Sequence, residues 1–196
     1  MKPVQRDEVM GLADYETIRD RFRGRVIEEK RTRRALVGDR VSAVFENHDT
    51  VLLQIQEMLR TERISRPAAV QHEIDTYNQH IPGKDELFAT VMIEIGDKDE
   101  REAFLANARG FERHVALVVN GEKTPATWEK TRELEDRASA VNYLRFSLSP
   151  AAAAHLREKK KDASIAMVID HPIYAASATF PPVMAASLAE DLDESA

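Results

Sequence analysis

Four side chains in this sequence have the chemistry to hold a metal ion. Glu46 ends an apolar run, Glu57 precedes the apolar pair Met58-Leu59, Glu73 lies in the next helical segment, and His171 stands in Asp170-His171-Pro172. Carboxylate oxygens and an imidazole suit iron, manganese or zinc. Together they would make a metal-dependent oxidoreductase site, with Arg145 holding an anionic substrate. The chain has no cysteine, so any iron, manganese or zinc here is bound without thiolate. Structural disulfides, cysteine-ligated iron–sulfur clusters and thiol nucleophiles are excluded within it. The same residues have ordinary structural uses: Glu57 can pair with Arg60, and His171 can hydrogen-bond within its own turn.

A second set, Asn47, Gln54, Arg60, Tyr143 and Arg145, offers polar contacts around an apolar pocket and would suit a small-ligand-binding module. Gln54 and Gln56, with Asn47 and Asp49, surround an otherwise apolar helix. They fit either a buried hydrogen-bond network or a ligand-facing surface. Familiar catalytic signatures are missing. There is no GxxxxGKS/T loop, no GxGxxG after a strand and no GxSxG elbow, so nucleotide-binding and serine-hydrolase chemistry are not expected. His72-Glu73 begins a zincin-like pattern, but Thr76 stands where the second histidine is needed. His155 and Glu158 share the i, i+3 spacing of di-iron bundles, yet they lie in a lysine-rich, surface-type helix.

The elements that must position these groups follow from periodicity. Apolar residues at Ile18, Phe22, Val26 and Ile27 predict a long amphipathic helix over 15–37, closed by Gly38-Asp39. Val41 to Phe45 reads as a strand. Asn47 or Asp49 can cap a helix carrying Val51, Leu52, Ile55, Met58 and Leu59, which ends near Ile64. Pro67 opens another, over Ala69 to Tyr77, and the turn His80-Ile81-Pro82-Gly83 ends it.

Beyond it, strands are predicted at 87–95, 114–120, 123–128, 142–148, 164–170 and 174–180. Helices fall at 98–108 and from Pro150 to about 160, with Gly110 as the C-terminal stop of the first. A short helix ends the fold, and 190–196 reads as a frayed acidic tail. Most connections are too short for parallel crossovers. The expectation is therefore a single α+β domain over 1–189, with an N-terminal helical segment and a mostly antiparallel sheet.

Composition agrees. A chain of 196 residues with 43% hydrophobic and 32% charged residues suits one globular domain and excludes collagen-like and low-complexity classes. There is no signal-peptide h-region and no apolar run near the roughly 20 residues of a membrane span, so a soluble cytoplasmic protein is expected, without membrane association. Charge is uneven. The whole chain carries −6, yet Arg19, Arg21, Arg23, Arg25, Lys30, Arg31, Arg33 and Arg34 face only Asp20, Glu28 and Glu29 in the first helix region. That basic stretch could dock an acidic protein partner through Arg31, Arg33 and Arg34, or simply be a solvated helix face. Few aromatics interleave it, so nucleic acid is not the expected partner.

The run Phe45-Glu46-Asn47-His48-Asp49-Thr50-Val51-Leu52-Leu53-Gln54-Ile55-Gln56-Glu57-Met58-Leu59-Arg60 resembles a bacterial family catalogued as domain of unknown function 3501. The resemblance continues through 73–78, 139–146 and 170–174 and covers almost the entire chain. Members of that family look like cytosolic accessory proteins often encoded near rubrerythrin-like and cysteine-rich iron–sulfur proteins. The resemblance thus implies an accessory or interaction protein in a redox or peroxide-defence setting, working with a metalloprotein partner. It carries over no catalytic residues. Relatives look as though they often place a histidine where this chain has Asn142, so a metal site depending on that position is not expected here.

Overall fold

A computed structural model describes residues 1–129 and 136–194. Among these residues the chain forms six α-helices and eight β-strands, all paired antiparallel. The α+β class expected from the connection lengths is what the structure has. The strands make two sheets of four, rather than one.

Helix α1 (Leu12–Arg31) ends earlier than its apolar spacing predicts, and Arg34–Val37 is strand β1. The reason is local: from Arg34 to Val37 exposed and buried residues alternate, a period-2 pattern that the surrounding arginines obscure. A tight turn through Gly38, in the left-handed region at φ 75°, returns the chain into β2 (Val41–Phe45). Asn47 then caps α2 (His48–Thr61): its side chain accepts from the Thr50 amide, while the Thr50 hydroxyl accepts from the Asn47 amide. Pro67 opens α3 (Pro67–Asn78).

The next strand is β3 (Glu86–Ile93), followed by α4 (Lys98–Asn107) with its Asp97 cap. A 3-10 turn at Phe111–His114 leads into the hairpin β4 (Val115–Val119) and β5 (Glu122–Pro125). Strand β6 (Val141–Ser147), helix α5 (Pro150–Lys159), the hairpin β7 (Ile165–His171) and β8 (Tyr174–Thr179), and helix α6 (Pro182–Glu194) complete the described chain.

Sheet one runs β1-β2-β3-β6 and sheet two β5-β4-β7-β8. Their apolar faces share one core. Phe45, Leu87, Val91, Leu144 and Phe146 come from the first, and Leu117, Val119, Ile165 and Met167 from the second. The sheets also touch along both sides. Just past β5, Thr127 exchanges two 2.8 Å backbone hydrogen bonds with Arg145 of β6. On the far side the Tyr174 hydroxyl of β8 donates to the Val37 carbonyl of β1 at 2.6 Å. Each contact occupies backbone groups of an edge strand that would otherwise invite foreign pairing.

Helix α6 packs Met184, Leu188 and Leu192 into the same core. The tail expected from residue 190 does not begin there. The helix continues to Glu194 because Leu192 is fully buried and Asp191 meets Arg33 inside the protein.

A second core joins α2 and α3 to the N-terminal residues. Val51, Ile55 and Leu59 recur one helical turn apart and pack with Val70, Ile74, Val4 and Val9. Side-chain amides hold the N-terminal segment there. Asn78 exchanges two hydrogen bonds with Val4, and Gln56 two with Met10. Buried Gln56 is therefore part of a structural network.

Candidate functional site

A cavity of about 420 Å³ opens beside β6. In the antiparallel register Phe88 of β3 lies opposite Arg145 of β6, and Thr90 opposite Tyr143, so strand alternation puts Phe88, Tyr143 and Arg145 on the sheet face turned away from the main core. The turn after α3 lays His80 across them. Its amide bonds the Tyr77 carbonyl at 2.9 Å, and its ring stacks between Phe88 (centroids 5.0 Å apart, planes 22° apart) and Tyr143 (4.5 Å, 15°). His80 is 4% exposed. One wall of the cavity is thus a stack of flat rings fixed by two strands and a turn.

Arg145 extends the stack, with its guanidinium 5.3 Å from the Phe88 ring centre. It is held by the Glu86 carboxylate at 2.5 Å and the Gln79 carbonyl at 2.6 Å. Burial works to raise the Glu86 carboxyl, but Ser147, Arg145 and the Gly83 amide together hold it below the usual carboxylate range. The lining also takes in Thr127-Trp128-Glu129, Arg137, Ser139 and, from the 3-10 turn, Glu112. Arg137 donates to Glu102 at 2.7 Å. Aromatic walls with a few polar groups are what a small-molecule site needs.

Of the residues expected from sequence to contact a ligand, Tyr143 and Arg145 line this cavity. Asn47, Gln54 and Arg60 are not among its lining residues. Asn47 is the cap of α2 and also bonds Glu29. Gln54 is half-buried on α2. Arg60 lies 3.7 Å from Glu57 and 3.5 Å from Glu16.

The four expected metal ligands are not brought together. Among the described residues, no group of three or more His, Cys, Asp or Glu side chains is placed to hold a metal ion. Glu57 is already engaged. It accepts both a bidentate pair from Arg19, at 2.8 Å each, and the Tyr15 hydroxyl at 2.7 Å. Those donors hold its carboxyl down at about 2, with the Arg19 hydrogen bonds the largest cause. The same burial and carboxylate push the Tyr15 phenol up.

His171 is committed as well. Its Nδ1 accepts from the Ile173 amide at 3.3 Å, so Nε2 carries the proton and donates to the Arg109 carbonyl at 3.2 Å; with both ring nitrogens bonded, no lone pair remains for a metal. Glu46 is 2% exposed and accepts from the Thr90 hydroxyl at 2.6 Å, while its other carboxylate oxygen has no partner. Glu73 is half-buried on α3.

The expected docking set also needs correction. Arg33 is 2% exposed and faces inward onto Asp191, Ser187 and the Phe45 carbonyl. It cannot contact a partner. Arg31 pairs with Glu28 on the surface, and Arg34 with Glu94. No helix among the described residues is long and apolar enough to cross a membrane.

His80, Phe88, Glu112 and Trp128 were not among the expected site residues. Two of them carried a signal: Trp128 is the only tryptophan in the chain, and Phe88 stands at an outward position of strand 86–93 where a solvated face would carry a polar residue.

The family model for a protein of unknown function, DUF3501, matches residues 3–192. The fold is similar to the crystal structure of a novel protein of unknown function from Burkholderia pseudomallei. That protein is 35% identical, with a TM-score of 0.91 over 98% of this chain and 100% of that one. No curated protein matches the chain. With a match running through both sheets and all six helices, the chain belongs to the DUF3501 family.

Proposed function

We propose that this protein is a binding module that takes a small organic ligand into the cavity beside β6. The observation that carries this reading is the Phe88–His80–Tyr143 stack, which gives a cavity of about 420 Å³ a rigid aromatic wall. Such a volume lies in the range of small-ligand pockets, and the side chains forming the wall are held in place before any ligand arrives.

Trp128 lines the cavity and is the only tryptophan in the chain, so its emission reports entry directly. Titration with a broad panel of metabolites should give at least one saturable change in Trp128 emission. The same compound should raise the melting temperature, since ligand at about 100-fold its Kd adds about 2.7 kcal/mol. If every compound leaves both signals unmoved, the reading fails.

An accessory role beside an acidic redox metalloprotein is a second reading. Its support is the exposure of Arg31 and Arg34, whose side chains are 71% and 44% exposed. Reversing both charges should weaken binding to a purified rubrerythrin-like protein and flatten its salt dependence. Equal binding by the wild type and the doubly reversed variant sinks it.

A further inference from the structure

We infer that β8 is a dimerisation edge, to which a second copy of this chain adds its own β8, antiparallel, about a two-fold axis at Ser177. The hydrogen bond from the Phe180 amide to the Ile165 carbonyl, at 2.9 Å, fixes which backbone groups of β8 face β7. Antiparallel strands bond through every second opposed pair, so with Ile169 opposite Ala176 and Met167 opposite Ala178, it is Ala176 and Ala178 that turn their N–H and C=O to β7. Ala175, Ser177 and Thr179 turn theirs to the open side of the sheet. Among the described residues no hydrogen bond reaches those outward groups, and all three residues are exposed.

The other edge strands are defended, and β8 is not. Strand β1 carries Arg34, β5 carries Glu122, Lys123 and Pro125, and Arg145 of β6 exchanges backbone hydrogen bonds with Thr127. Charged side chains, proline and covering segments are the means by which a sheet edge avoids a foreign strand. From Tyr174 to Thr179 there is no charged residue and no proline, and the register with β7 runs without a bulge. The hydrogen bond to β1 comes from the Tyr174 side chain, at the start of β8. Ala176 and Ala178 pack against the main core yet are only half-buried, so the core itself is open along this edge.

Symmetry names the occupant. A foreign peptide added to an edge is selected by pockets for its alternate side chains, and the small side chains of Ala175, Ser177 and Thr179 offer none. A second β8 needs none. With the axis at Ser177, Ala175 lies opposite the partner's Thr179, and every outward amide and carbonyl of both strands is paired. No charge within the strand meets a like charge across the axis. The two edges cover each other, so the assembly closes as a dimer. The cavity stays open, because Thr127 and Trp128 of its lining follow β5, the opposite edge of sheet two.

Light scattering after size-exclusion chromatography tests this on the full chain at about 0.1 mM, well above the Kd of a micromolar dimer. The wild type should show twice 22.2 kDa. Ser177→Lys sets two like charges on the axis and should show 22.2 kDa with an unchanged circular dichroism spectrum. The chain has no cysteine, so one introduced thiol reports the register. Opposed residues in a bonded pair have Cα atoms about 5.5 Å apart, within disulfide reach. Ser177→Cys should therefore link to its own copy on air oxidation, whereas in Ala175→Cys the two thiols are about 13 Å apart along the strands and should not link.

A monomeric wild type overturns the inference. So does a Ser177→Lys variant that remains dimeric, since the interface then lies elsewhere. Equal linking of the two cysteine variants reports random collision and overturns it as well. Should Ser177→Lys fail to fold, the two cysteine variants decide alone.

Discussion

Arg33 and Asp191 stand 158 residues apart in the chain and form an ion pair with both side chains buried, 2% and 5% exposed. The guanidinium also donates to the Ser187 hydroxyl and to the Phe45 carbonyl. One side chain thus ties the start of sheet one to the last turns of α6. Both charges gave up hydration to reach this position, so the pair is worth less than its proximity suggests, whereas removing one partner strands the other.

Asp191→Ala should therefore destabilise the protein by about 3–5 kcal/mol, and Arg33→Met should cost less, because methionine keeps the packing of the arginine stem. Urea denaturation of the two variants measures the difference. A loss under about 1 kcal/mol for Asp191→Ala would mean that water reaches Arg33 and that the site is not buried in solution.

The Tyr15–Arg19–Glu57 cluster joins α1 to α2 and makes stability depend on pH. Because the folded Glu57 carboxyl lies at about 2, below its ordinary value near 4.5, its contribution is fully present above that ordinary value. It is lost as pH falls from there through about 2. With Glu57 partly solvated, we expect the loss to be about 1–2 kcal/mol. Melting curves between those limits should be steeper in pH for the wild type than for Glu57→Gln. Parallel curves would show that the cluster adds no pH-linked stability.

These two clusters show how far the sequence could be read. The Asn47 cap, the Pro67 start and the alternation of β3 and β6 were legible because each depends on neighbours within a few residues. Tyr143 and Arg145 were read only as polar contacts around a pocket, and it is as alternate residues of one strand that they share a face. Glu57 was read as a metal ligand before the apolar pair Met58-Leu59, but its donors come from another helix and engage both of its carboxylate oxygens. Arg33 could not be distinguished from Arg31 or Arg34, since its burial depends on a helix at the other end of the chain. His80 reaches the cavity only through the register that brings Phe88 beside β6, a tertiary fact with no local mark.

Gly24 lies inside α1, exposed, and a Cβ there would meet no atom within 4 Å. Nothing in the fold requires a glycine at that position. Gly24→Ala should raise stability by about 0.5–1 kcal/mol through helix propensity alone, seen as a higher urea midpoint with an unchanged slope. A lower midpoint would reveal a contact on that face which the monomer does not contain.

The contact between β1 and β8 can be tested as a coupling. The Tyr174 hydroxyl donates to the Val37 carbonyl and accepts from the Arg40 amide at 3.2 Å. Gly38 sits directly beneath it, where an added Cβ would overlap the hydroxyl oxygen. Its positive φ is a separate obstacle, costing a residue with a side chain about 1–2 kcal/mol whatever lies nearby. Gly38→Ala should therefore cost about 2–4 kcal/mol in the wild type, combining strain with overlap. Tyr174→Phe removes the overlapping atom while leaving two backbone groups unsatisfied, at about 1–2 kcal/mol. In the Tyr174→Phe background, Gly38→Ala should then cost less, about 1–3 kcal/mol, its conformational share plus the crowding that remains against the Ala176 Cβ, 3.0 Å from the added carbon. If the glycine substitution costs the same in both backgrounds, the hydroxyl is not what excludes a side chain there, and the turn's backbone alone accounts for the glycine.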